Sequence, residues 1–208
     1  MENPVAEIPT VIRLLTQSPP SLQRVVLERY FTPSAAFAHP LCRVWSFNGS
    51  RWVIAKIYEF YKIMSPRIEV EIHSVAYDEN RLKLYVCLSQ IFTIWLIPFY
   101  VAPVTLTAVL DLTTDPGDAS SLIDGDRKHY YIAKQEDLYQ TSEFIKFLAP
   151  FFGHFCVLVF HLFATLFCVL GTVVFSPITW MEENGYIPVK GGNLAYNMER
   201  KLPEIKTT

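Results

Sequence analysis

The 208-residue sequence has no C-x-x-C pair, and its four cysteines, Cys42, Cys87, Cys156 and Cys168, are scattered. That spacing speaks against a disulfide frame or a zinc site, so no metal ligand set is assigned. G-x-G-x-x-G, P-loop, G-x-S-x-G and H-E-x-x-H patterns are absent as well. Nucleotide-dependent, serine-hydrolase and zincin chemistries therefore have no support, and no cofactor is implied. Clusters of Lys and Arg are missing too: 18 basic residues stand against 20 acidic ones, for a net charge of -2. A nucleic-acid partner, bound mainly by phosphate neutralisation, is not expected. Internal repeats and low-complexity tracts are also lacking.

The most consequential absence is local. Phe151 to Phe175 contains no Asp, Glu, Lys or Arg. As a helix rising ~1.5 Å per residue it would measure roughly 37 Å, enough to cross a hydrocarbon core of about 30 Å. Pro150 and Pro177 bracket the run and Trp180 follows at headgroup depth. Lys134 and Lys146 precede it and only Lys190 follows, a positive-inside bias that puts the preceding domain in the cytosol. The opening residues MENPVAEIPT, with two acids and two prolines, do not resemble a signal peptide. A single-pass protein at the endoplasmic reticulum or lipid droplets is expected; a hairpin turning near Gly171 within one leaflet is the alternative. Residues 1–142 then form a ligand-binding domain, 143–180 a linker helix and anchor, and 181–208 a flexible tail.

Aromatic residues make up 14% of the chain, enough to fill a core and still line a pocket. Pro9 to Thr16 places Ile8, Val11, Ile12 and Leu15 at helical spacing, with Pro9 suited to the first helical position. After Pro19-Pro20, Ser21 is expected to cap a second helix with Leu22, Val25, Val26 and Tyr30 on one face. Phe31 to Phe47 reads as irregular. Asn48-Gly49-Ser50 completes a glycosylation sequon, but glycosylation would require the lumenal side and the segment is read as a turn. A third helix, Ser50 to Met64, aligns Val53, Ile57, Phe60 and Met64.

Beyond Ser65-Pro66 the period changes from 3.6 to 2. Ile68, Val70 and Ile72 alternate with Glu69, Glu71 and His73; Leu82, Leu84, Val86, Leu88 and Gln90 form the inward series of a second strand. Val104 to Leu112 makes a third, a polar loop runs from Asp115 to about Lys128, and His129 to Leu138 closes the sheet. Thr141 is a candidate cap for the next helix. The uncharged stretch from Ile91 to Leu110 is long enough to span a membrane, but Pro98, Pro103 and the flanking alternation favour two strands joined by an aromatic loop, Trp95 to Tyr100, that touches the interface.

Three helices, an F-x-H-P segment (Phe37-Ala38-His39-Pro40) before the third, long alternating strands and a closing Y-I-A-K-Q-E-D-L-Y (Tyr131 to Tyr139) resemble the nuclear transport factor 2-like superfamily. Within it, the SnoaL-like and fungal SigF-like branch is the nearest flavour. The resemblance covers Pro9 to Tyr139 and implies an α+β cone: a curved antiparallel sheet wrapped by about three helices around a cavity. The superfamily includes scytalone dehydratases, ketosteroid isomerases, limonene-epoxide hydrolases, polyketide cyclases and non-catalytic transport factors, and its sheets often dimerise, so a homodimer is allowed. This sequence departs from the pattern by adding Phe151 to Phe175 and the apolar loop after Trp95, and no complete Tyr/Asp/Asp, Asp/Arg/Asp or His/His/Tyr/Asp set aligns.

Against that frame, His39 sits where the family sends a polar side chain into the cone, and a histidine there transfers protons near neutral pH. The competing role is a packed histidine bonded to a backbone carbonyl. Asp137, in phase with Gln135 and Tyr131, would have its pKa raised by an apolar cavity; alternatively it belongs to a solvated strand end. Gln90 needs a partner or a ligand on a core face. Tyr58, Tyr61 and Tyr131 are ligand-contacting candidates or core residues with a wet tip. His73 belongs to an exposed face. His154 and His161, seven apart, are ionisable groups within the apolar run and more readily face a partner than hold a metal. The expected function is binding of a small lipophilic molecule that partitions into membrane lipid. Isomerisation, dehydration or cyclisation of a polyketide-, terpenoid- or sterol-like compound would follow, with His39 and Asp137 as acid/base pair; the alternative is a non-catalytic lipid-binding or scaffold module.

Overall fold

The computed structural model describes residues 1–97, 99–115, 129–149, 152–184 and 186. They divide into two compact units, Met1–Leu158 and Val159–Thr208. The polar loop beyond Asp115 and the tail beyond residue 186 lie outside the described residues.

Helix α1 (Pro4–Gln17) starts five residues before Pro9 because Asn3 supplies the cap. The Asn3 side chain accepts from the Ala6 N–H at 3.1 Å, while the Glu7 carboxylate accepts from the Glu2 and Asn3 N–H groups at 2.6 and 2.9 Å. These bonds satisfy the donors that a helix start leaves open. Pro9 therefore sits inside the helix, and Ile8, Val11 and Leu15 form its buried face. Helix α2 (Pro20–Tyr30) begins after Pro19 rather than at a Ser21 cap. It buries Gln23, Val26 and Leu27, leaving Leu22 and Val25 exposed, so its inward face is turned away from the expected one. Helix α3 (Ser50–Met64) has the expected bounds but buries Ser50, Ile54 and Ala55, and Phe60 is exposed.

The expected irregular segment is instead two strands, β1 (Phe31–His39) and β2 (Cys42–Val44). Pro33 hid β1, since a proline cannot donate to a ladder. The sheet accommodates it at an irregularity: pairing with the last strand is interrupted between Phe31 and Ala36. Side chains of α3 take over the acceptors there, with the Ser50 hydroxyl donating to the Ala35 carbonyl at 2.6 Å and Arg51 to that of Phe31 at 2.9 Å.

Strands β3 (Ile68–Asp78), β4 (Lys83–Phe92), β5 (Ala102–Thr113) and β6 (Tyr131–Tyr139) follow the sequence alternation closely. Ile91 to Leu110 is thus two strands and a loop, not a second span. The six-stranded sheet has the order β2-β1-β6-β5-β4-β3, with β1 and β6 parallel and the other neighbours antiparallel. It is the curved sheet of an α+β cone, with α1, α2 and α3 packed over its concave face. Leu84, Val86, Leu106, Leu110 and Ile132 point into the core between sheet and helices.

Two bulges set which residues reach that core. At His73, β3 carries one extra residue relative to β4, so Ile72 and Val75, rather than Ile72 and Ser74, face inward. At Ala133, β6 carries one extra residue relative to β5, since Asp111 pairs with Lys134 and Leu112 with Ile132. A bulge shifts the side-chain phase by one residue. Ile132 is consequently buried with Gln135, while Tyr131 belongs to the opposite series.

Helix α4 (Thr141–Leu148) begins after Gln140, so Thr141 is its first residue rather than its cap. Glu143 accepts from the Thr105 N–H at 3.0 Å, tying this helix to β5. Helix α5 (Gly153–Val174) coincides with the uncharged run, and α6 (Ser176–Glu183) follows it. Among the described residues, Phe155–Val174 is the one helix long and apolar enough to cross a membrane, and none of it is buried.

Candidate active site

A cavity of about 70 Å³ lies between the concave face of the sheet and helices α1–α3. Most of its wall is apolar, including Ile8, Val11 and Leu15 on α1, Phe31 and Phe37 on β1, and Leu88, Leu106 and Leu110 on the sheet. Polar groups converge at one region of the lining: His39 from β1, Tyr58 and Tyr61 from α3, Gln90 from β4, and Gln135, Asp137 and Tyr139 from β6. His39, Asp137 and Tyr139 also line a second, open cleft of about 550 Å³ beside β2. These three residues therefore border both spaces.

The hydrogen bonds assign most of the protons. The Leu41 N–H can only donate, and it donates to His39 Nδ1 at 3.2 Å, so a neutral His39 carries its proton on Nε2. The Tyr61 hydroxyl lies 3.3 Å from Nδ1 and 3.8 Å from Cys42 Sγ, between two acceptors for its proton. On the other side of the ring, Nε2–H donates to the Tyr139 phenol oxygen at 3.3 Å. Gln90 Nε2 donates to that oxygen as well, at 3.0 Å. With both lone pairs of Tyr139 occupied, its own proton has no acceptor among the described residues. It is a donor available to an oxygen placed in the cavity.

A second chain ends on the carboxylate. The Tyr58 hydroxyl donates to Gln135 Oε1 at 3.0 Å, and Gln135 Nε2 donates to Asp137 Oδ1 at 2.9 Å. Gln135 is the sole hydrogen-bond partner of Asp137 among the described residues, so the proton of a neutral Asp137 belongs on Oδ2.

Burial governs the ionisation of the whole group. It raises the Asp137 pKa from 3.8 to about 7, with the Gln135 bond pulling the other way. Burial also pushes His39 down to about 4, leaving the imidazole neutral at physiological pH. Tyr139 and Tyr58 are both held above the ordinary phenol value, first by burial and then by the Asp137 charge. Such a set is an apolar pocket with one carboxyl poised to exchange a proton near neutrality.

His39, Asp137, Gln90, Tyr58 and Tyr61, singled out from the sequence, line this one cavity. Proton transfer by His39 near neutral pH does not fit its environment: desolvation disfavours the imidazolium, and both ring nitrogens are engaged within the fold. Tyr131 lies apart from the cavity because of the bulge at Ala133. Sequence reasoning misses Tyr139, Gln135 and Gln23 among the polar lining residues. Tyr139 ends the closing strand two residues beyond Asp137 and so shares its phase. Gln135 links the Tyr58 hydroxyl to the Asp137 carboxylate. Gln23, 1% exposed, donates to the Leu15 carbonyl at 2.6 Å, while its Oε1 has no donor among the described residues. His73 is exposed and bonds Ser89 at 3.0 Å. The described residues contain no group of three or more His, Cys, Asp or Glu able to hold a metal ion.

The model of the SigF NTF2-like domain matches residues 1–180. The chain belongs to this family. The SigF NTF2-like match extends past the cone and through the apolar helix α5. Among curated proteins, none matches the sequence. Similar solved structures include a protein with a ketosteroid isomerase-like fold from Catenulispora acidiphila, 14% identical, covering 68% of this chain and 91% of that one with a TM-score of 0.48. Another is an LEH-like epoxide hydrolase from M. tuberculosis, 11% identical, covering 76% and 98%, TM-score 0.48. A third, an NTF2-like protein from an Exiguobacterium species, is 7% identical and covers 64% and 97%, with a TM-score of 0.48.

Proposed function

We propose that this SigF NTF2-like protein binds a small lipophilic molecule carrying a carbonyl or hydroxyl oxygen and rearranges it by proton transfer, as an isomerase, dehydratase or cyclase. The observation that carries this reading is the convergence of Asp137, held near neutrality by burial, and the Tyr139 phenol, charged with two donors and free to donate, on one apolar cavity. Tyr139 donates to the substrate oxygen and stabilises the negative charge that grows there. Asp137 removes a proton from an adjacent carbon and returns it, or a second one, elsewhere. His39 and Gln90 are positioning residues: their donation to the phenol oxygen orients its proton and offsets charge developing on it.

At about 70 Å³ the cavity is about half the ~150 Å³ that admits benzene. It takes the reacting end of a polyketide-, terpenoid- or sterol-like molecule, with the remainder in the open cleft or in space vacated by side chains. The same small volume supports a second reading, a lipid-binding or scaffold module without turnover. Mass spectrometry of compounds extracted with the purified protein separates the two. A compound altered on incubation with wild type but not with Asp137→Asn supports the enzyme; one returned unchanged by both supports the binding module.

Helix α5 supports the further reading of a membrane anchor, with the cup in the cytosol at the endoplasmic reticulum or lipid droplets. Resistance to extraction by alkaline carbonate, with the cup open to added protease in sealed microsomes, is the expected behaviour. Release into the carbonate supernatant removes the anchor.

A further inference from the structure

We propose that the end of the cup formed by loop residues 93–97 and 99–101 and the last turns of α3 docks on the surface of a lipid bilayer. Trp95, Leu96, Ile97 and Phe99 all point outward, Phe99 being 91% exposed, and Phe60 and Ile63 of α3 are exposed beside them. Helix and loop form one surface, because the Trp95 indole N–H donates to the Ile63 carbonyl at 2.8 Å and the Trp95 backbone N–H to that of Met64 at 3.4 Å. Phe99 holds a left-handed backbone, φ 62°, which a bulky residue rarely adopts. A contiguous apolar patch rimmed by polar groups marks an interaction site, not ordinary surface.

The composition of the patch and of its rim selects lipid as the occupant. No charged residue occurs from Ile91 to Leu110. Of the charges that border the patch, Lys62 lies next to Ile63 and Arg67 adjoins the loop through the bond from the Thr93 hydroxyl to its carbonyl at 3.3 Å, while Glu59, next to Phe60, is paired with Arg24 and Lys56, and Glu69 lies opposite Ile91. Exposed tryptophan, phenylalanine and isoleucine flanked by cations match the acyl and headgroup layers of an anionic membrane. The choice of lipid over protein also rests on the reading of α5 as an anchor, which keeps the cup beside a bilayer.

Docking there has a consequence for the site. Beneath the loop, Tyr100 packs with Ile68 and Phe92, and Tyr139 packs against the same cluster. Ile68, Phe92 and Tyr139 also line the cavity. One layer of side chains thus separates the docked face from the cavity, so a lipid-dissolved ligand has a short path inward.

The full chain in vesicles of phosphatidylcholine and phosphatidylserine, with bromines on the upper acyl chain, provides the test. One variant keeps only Trp95, through Trp45→Phe, Trp52→Phe and Trp180→Phe; a control keeps only Trp52. Trp52 and Ile63, where Trp95 is bonded, are 11 residues apart on α3, roughly 16 Å. Trp95 emission is expected to fall roughly twofold or more relative to unbrominated vesicles, with Trp52 little changed. Phe99→Asp, at a position too exposed to disturb folding, should restore most of the Trp95 emission. Trp95 quenched no more than Trp52 in carbonate-resistant protein overturns the docking face while leaving the anchor intact. Selective quenching in protein that carbonate extracts supports the docking face and removes the anchor instead.

Discussion

Replacing Asp137 by Asn should stabilise the protein at alkaline pH and leave it unchanged in acid. Between the ordinary carboxyl value of 3.8 and the buried value of about 7, the folded protein holds a proton that the unfolded chain has released. A raised carboxyl pKa means that stability present below pH 3.8 is lost as pH rises through 7. At ~1.4 kcal/mol per pH unit the loss is about 4 kcal/mol, an upper value because the side chain keeps partial exposure. That is a large fraction of the ~5–15 kcal/mol that holds a domain together. Asn keeps the shape and can still accept from Gln135 through its amide oxygen, so the variant should lose the cost without losing the bond. Its unfolding midpoint should exceed that of wild type by roughly 10 °C at pH 8 and match it at pH 4. His39 works in the opposite direction, its lowered pKa adding stability as pH rises from about 4 to 6.5, but it is common to both proteins and cancels. The assay is thermal unfolding in detergent followed by near-ultraviolet circular dichroism from pH 4 to 9. Equal differences at pH 4 and pH 8 would refute the buried carboxyl, and with it the proton-transfer reading.

Three further outcomes are expected. Tyr139→Phe strips both the Gln90 amide and the His39 N–H of their acceptor, which should cost about 1–3 kcal/mol in denaturant unfolding and lower turnover of a recovered substrate about 100-fold or more. If Asp137 is the base, the pH profile of kcat/KM for that substrate should rise through a single ionisation near 7, and in Tyr139→Phe the same ionisation should persist. Ala108→Leu, at a cavity-lining residue that is 3% exposed, should fill the void and abolish ligand recovery while changing stability by no more than about 1–3 kcal/mol.

Part of this protein is local in origin. A strand half buried in a core repeats every two residues, so Leu84, Val86, Leu88 and Gln90 announced both β4 and its inward face. The uncharged run of α5 needed only length and composition. The phase that unites Gln135, Asp137 and Tyr139 on β6 is legible for the same reason, out to the strand end. Tertiary structure decided the rest. Strand β1 exists through its parallel pairing with β6, about 100 residues away, and through side chains of α3 that take the carbonyls left over around Pro33. Which face of α2 is buried depends on what packs against it, and propensity is silent on that. One extra residue at Ala133 reverses the phase and exchanges Tyr131 for Ile132 in the cavity wall. The ionisation of His39 and Asp137 follows from desolvation, a property of the surroundings that three-dimensional packing creates and that no single stretch of the chain contains.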